Sequence, residues 1–118
     1  MSVDASRPMG DYGRESTRAE NAVVFYIHVL LQVNDENDVD EIRGLMAEAA
    51  RLSRQEPGCC RFEVYHSQSD PRTFVLTEWW ETEEAWKAHR NERAFSEIYA
   101  PRVLPRVTRT PHISTLVE

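Results

Sequence analysis

The stretch from Ala22 to Val33, AVVFYIHVLLQV, constrains this chain more than any other. It is too short to span a membrane. It is rich in β-branched and aromatic residues, and its odd and even positions are apolar alike, so as a strand it asks for cover on both faces. Such a segment belongs at the centre of a sheet. Within it His28 alternates with Ile27 and Val29. Burying its ring nitrogens without partners would cost a few kcal/mol, so something polar must meet it.

The rest of the chain supplies the cover. Asp38 with Glu41 three residues on reads as a helix cap, followed by Val39, Ile42, Leu45, Met46, Ala49 and Leu52 at helical spacing, before Pro57 and Gly58 end the helix. CCRFEVYHSQ and RTFVLTEWWE are strand-like, and SDP between them is turn chemistry, so they read as a hairpin. Thr82 caps a second helix with Glu83 and Glu84 in its first turn and Ala85, Trp86 and His89 on its apolar face. A further helical period begins at Asn91, carries Phe95, Ile98 and Tyr99, and is disturbed at Pro101. The segment from Val107 to Val117 alternates as a strand, and Pro111 confines it to an edge or a bulge.

The order strand, helix, strand, strand, helix pair, strand is that of a ferredoxin-like α+β unit with helices on one face of an antiparallel sheet. Its other face needs a partner, and the sheet of a second copy is the economical one. A homodimer with its two sheets face to face is therefore expected. Residues 1–21 are polar and poor in apolar side chains, which reads as a flexible tail before a domain over 22–118.

A net charge of -6 over 118 residues, with both signs interspersed, offers no basic stripe for nucleic acid or an anionic membrane. The N-terminal region lacks the apolar run of a secretory signal, so a cytoplasmic location is expected. Cys59 and Cys60 are adjacent, and a strand would point them to opposite faces, so both read as reduced packing thiols. The four histidines sit on different elements, and neither metal-ligand spacing nor a glycine-rich phosphate loop occurs.

The stretch EPGCCRFEVYHSQSDPRTFVLTEWWETEEAWKAH, followed by RAF, resembles the antibiotic biosynthesis monooxygenase (ABM) family. That family repeats an EPG turn into a strand, an RFVLxExW strand, an SxEAxxxH helix and a following aromatic. The resemblance covers roughly residues 22–117 and implies a dimeric α+β barrel with one small pocket between the sheet and the helices after strand three. Members include cofactor-free monooxygenases and quinol oxidases, enzymes resembling the isomerase of phosphorylated autoinducer-2 breakdown, and haem-degrading oxygenases. This chain departs from the pattern in two ways. Ala94 stands where the family often has a second histidine, and Tyr99 stands about where the haem-degrading branch has its iron ligand.

On that resemblance His89 becomes the base or oxygen anchor of the pocket, since an imidazole can accept a phenolic proton near neutral pH. His28 and Tyr99 would assist by hydrogen bonds, and Trp80, Trp86 and Phe95 would form an aromatic wall. The expected activity is cofactor-free oxygenation by dioxygen of a small electron-rich aromatic of quinol or anthrone type, without flavin, haem or metal. The alternatives are an isomerase of a phosphorylated metabolite, served by Arg90, Arg93 or Arg102, and a non-enzymatic aromatic-binding module.

Overall fold

The computed structural model describes residues 24–118, so the tail expected over 1–21 lies outside the described residues. Strand β1, Phe25–Val33, pairs antiparallel with β3, Thr73–Trp80, on one side and with β4, Val107–Ser114, on the other. Strand β2, Cys59–His66, pairs with β3 and completes the order β2-β3-β1-β4. This is the ferredoxin-like α+β arrangement.

Alternation along β1 decides which side carries the core. Phe25, Ile27, Val29, Leu31 and Val33 are buried beneath the helices, and Phe74, Leu76 and Trp80 of β3 join them. Tyr26, His28, Leu30 and Gln32 point to the opposite face, which no helix among the described residues covers, and Leu30 is 42% exposed there. His28 therefore lies across the sheet from the helices, corrected from the pocket position expected of it. Its polar neighbours are on that open face, with Thr77 Oγ1 at 3.4 Å from its Nδ1 and His112 directly opposite in the β4 register.

Helix α1, Val39–Ser53, buries Ile42, Leu45, Met46, Ala49 and Ala50 against the sheet. Its start differs from the expected one. A 3₁₀ turn over Glu36–Asp38 precedes the helix, and Asp35 caps that turn by accepting the Asn37 N–H at 2.9 Å. Asp38 already has helical dihedrals, makes no side-chain cap and lies 3.9 Å from Arg106 instead. Thr82 caps α2, Glu83–Ala88, as expected, accepting the Ala85 N–H at 3.0 Å.

Beyond a 3₁₀ turn over His89–Asn91 the chain forms a π-helix, Ala94–Val103, rather than an α-helix broken at Pro101. The wider coil relieves the clash a proline ring makes with the carbonyl four residues back, so Pro101 sits inside it. A short 3₁₀ turn over Leu104–Arg106 leads into β4, which ends at Ser114 instead of running to Val117. Pro111 falls opposite Val29 on this edge strand, where a missing donor is tolerated. Among the described residues no helix is long and apolar enough to cross a membrane.

Candidate active site

The site begins at the turn between α1 and β2. Glu56 N–H returns to Ser53 O at 3.1 Å, and Glu56 O receives Cys59 N–H at 3.2 Å, which closes a tight EPG turn. Gly58 makes the turn possible with φ at 83°, a left-handed backbone that side chains rarely adopt. Its carbonyl accepts the Glu81 N–H at 2.8 Å, tying the turn to the end of β3. Without a Cβ it can also press against α2, where a built Cβ would meet Ala85 Cβ at 2.6 Å.

This approach brings Glu56 to His89, one turn beyond Ala85. Glu56 Oε1 lies 2.6 Å from His89 Nδ1, and the two side chains are only 7% and 11% exposed. Burial, reinforced by the Glu92 charge, pushes the Glu56 carboxyl up to about 7. Its other oxygen, Oε2, is buried with no hydrogen-bond partner among the described residues, which suits a carboxyl more than a carboxylate. Burial lowers His89 below the usual imidazole value, against the opposing pull of Glu78 and Glu92, which favours the neutral ring.

The protonation of Glu56 then sets the tautomer of the ring. A protonated Glu56 donates to Nδ1 and leaves a proton on Nε2. An ionised Glu56 accepts from Nδ1–H and leaves a lone pair on Nε2. Among the described residues no group hydrogen-bonds to Nε2, so that nitrogen is available to a ligand.

His89 borders a cavity of about 260 Å³ between the sheet and the helices. Met46 and Ala49 of α1, Phe62 and Leu76 of the sheet, and Trp86 and Phe95 give it apolar walls. His89 packs against Phe95 at 6.0 Å and Phe62 at 5.9 Å between ring centroids, and Trp86 stacks on Phe25 at 4.8 Å. Tyr99 also lines the cavity, and its hydroxyl accepts from Arg109 Nε at 3.1 Å. Of the residues singled out from the sequence, His89, Tyr99, Trp86 and Phe95 thus share one cavity.

Trp80 does not line it. With 0% exposure it lies behind the wall, 5.0 Å from the His89 ring, and donates Nε1–H to Glu78 Oε1 at 3.0 Å. It therefore supports the site without touching a ligand. Among the candidate phosphate-binding arginines, only Arg90 reaches the cavity; Arg93 pairs with Glu97 at 3.2 Å, and Arg102 lies 3.9 Å from Glu41. The Cys59 thiol is pushed up to about 12, mainly by burial and then by Glu56, which makes it inert at neutral pH. Cys59 and Cys60 are not bonded to each other.

Three lining or adjoining groups were not foreseen. Glu56 was visible only as part of the EPG turn. Glu78 had a signal, since it shares strand parity with Leu76 and Trp80; it is 5% exposed and its carboxyl is held above the ordinary range by burial. Arg109 gave none, because the register of β4 was not legible.

A sheet carrying helices on one face, with an aromatic cavity and a histidine beneath the helix after β3, defines a ferredoxin-like α+β domain with a candidate ligand cavity. The family model for antibiotic biosynthesis monooxygenase matches residues 24–101, and the chain belongs to that family. A curated relative, the uncharacterized protein YjcS of Bacillus subtilis (strain 168), is 33% identical over 64 residues, which are 54% of this chain. The chain spans 61% of the length of that relative.

Among solved structures, an antibiotic biosynthesis monooxygenase superimposes with a TM-score of 0.70 at 22% identity, covering 79% of this chain and 99% of the other. A Bacteroides thetaiotaomicron VPI-5482 protein described as a possible oxidoreductase gives 0.72 at 19%, covering 80% and 97%. SnoaB, a cofactor-independent oxygenase from Streptomyces nogalater, gives 0.69 at 15%, covering 80% and 94%. At such identities the likeness is one of fold.

Proposed function

We propose that this protein is a cofactor-independent monooxygenase of a small electron-rich aromatic of quinol or anthrone type. The observation that carries this reading is His89, set in an aromatic cavity with Nδ1 fixed by Glu56 and Nε2 left for a ligand. Nε2 would take the acidic proton of the bound substrate. The resulting carbanion or phenolate is itself the reductant of dioxygen. In the anthrone case one oxygen atom ends as the new quinone carbonyl and the other leaves as water, so substrate and dioxygen balance without a further electron donor.

The chain's own contribution is to orient the ring system, remove one proton and exclude water. Tyr99, its hydroxyl held by Arg109, is placed to hydrogen-bond a substrate oxygen. The family and the fold shared with a cofactor-independent oxygenase support the reading. An oxygen electrode tests it. Dissolved oxygen should fall faster than the spontaneous rate when protein is added to a panel of naphthoquinols and anthrones, and chelator should not change that. A panel with no consumption above background would overturn it.

The protein would work as a homodimer in the cytoplasm. The face of the sheet away from the described helices leaves Leu30 42% and Tyr65 52% exposed, apolar side chains that a partner surface would cover. The face of a second copy would supply that surface. Light scattering at micromolar concentration should return about twice the chain mass of 13.7 kDa, and a monomer mass would overturn the assignment.

A further inference from the structure

The cavity is apolar within and cationic at its rim. Arg90 and Arg109 both border it and are exposed at its edge. The Arg90 guanidinium stands 5.5 Å from the centroid of the Trp86 ring, and Arg109 is held through Nε by the Tyr99 hydroxyl. Neither lies within ion-pairing distance of a carboxylate among the described residues. Arg54 and Arg72 also stand outside the ion pairs, but their guanidinium groups are taken up by the backbone carbonyls of Phe62, Val33 and Asn34, whereas Arg90 and Arg109 face the cavity.

Holding Arg109 by Nε leaves both terminal nitrogens for a ligand, and a guanidinium edge matches the two oxygens of a carboxylate. The histidine and the arginines border one cavity, so a single rigid ligand can engage both.

We propose that the cavity takes an aromatic acid, a flat ring system whose carboxylate is held at the rim by Arg90 and Arg109 while its hydroxyl meets His89. The inference rests on the reading of the cavity as an aromatic site and names its substrate class. A carboxylate suits the site better than a phosphate monoester. Glu78 also lines the cavity, and whatever charge its carboxyl carries repels a dianion more than a monoanion.

Calorimetric titration under argon separates binding from turnover. The probes are 1-hydroxy-2-naphthoate, 1-naphthol and 1-naphthyl phosphate. The hydroxynaphthoate should bind about tenfold or more tightly than naphthol, the scale of one charge-assisted hydrogen bond. Arg109→Gln and Arg90→Gln should each bring those two affinities together, with circular dichroism confirming that the variants fold. Equal binding of naphthol and hydroxynaphthoate by the wild type would overturn the inference and leave the aromatic cavity standing. Tighter binding of naphthyl phosphate than of hydroxynaphthoate would overturn the choice of a carboxylate. Binding of neither naphthol nor hydroxynaphthoate would overturn both readings together.

Discussion

Replacing His89 with alanine is expected to lower protein-dependent oxygen consumption about a hundredfold or more, the usual loss when a general base is removed. Binding of the aromatic should change far less, because Trp86, Phe95, Phe62 and Met46 still form the walls. The loss should therefore fall on kcat more than on KM. The companion variant Glu56→Gln separates a base from a histidine that merely packs. In the wild type the rate should rise as pH passes through about 7, where Glu56 loses its proton and its carboxylate turns the His89 lone pair onto Nε2.

The sign follows from the two groups together. Below that pH Glu56 is a donor, Nε2 carries the proton, and the ring can anchor an oxygen but cannot accept from it. Burial holds His89 below its ordinary value, which favours the neutral ring over the same interval. A glutamine at position 56 has nothing to titrate, and the rise near neutrality should disappear. A profile identical in the two proteins would remove Glu56 from the mechanism. Unchanged consumption in His89→Ala would return His89 to the role of a core residue.

Why half of this site could be read from the sequence and half could not has a physical basis. Helical spacing after a good cap carries azimuth, so Trp86 and His89 could be placed on one inward face once Thr82 was recognised. The π-helix broadens that spacing, yet Phe95 and Tyr99 still border the cavity, because four residues nearly close one turn of either helix. Strand β1 carries no such information. Its apolar residues fill both parities, so nothing in the composition says whether His28 or its neighbours face the helices. Burial of Ile27 and Val29 at 1% settles the matter only in three dimensions. Glu56 is the harder case. It meets His89 across 33 positions of chain, through a turn whose geometry depends on a glycine and on the end of β3.

That glycine carries the largest expected effect on stability. Gly58→Ala should destabilise the fold by about 2–4 kcal/mol, measured by urea unfolding. A side chain in a left-handed backbone costs roughly 1–2 kcal/mol, and forcing a methyl into packed surroundings costs about 1–3 kcal/mol more. Both conditions hold at Gly58, with φ at 83° and Ala85 Cβ at 2.6 Å from the added carbon. The reduced entropy of the unfolded chain offsets only about 0.4–1 kcal/mol of this.

Gly44 supplies the contrast, since it sits exposed within α1 with nothing within 4 Å of a built Cβ. Gly44→Ala should stabilise by about 0.5–1 kcal/mol. The two costs at Gly58 can be told apart by adding Ala85→Gly. Removing the Ala85 methyl relieves the overlap and leaves the backbone strain, so the double variant should be more stable than the sum of the single changes. An additive cycle would mean that the turn does not press on α2 as the structure has it. The contact that brings Glu56 to His89 would then lose its support, because that approach depends on the missing methyl.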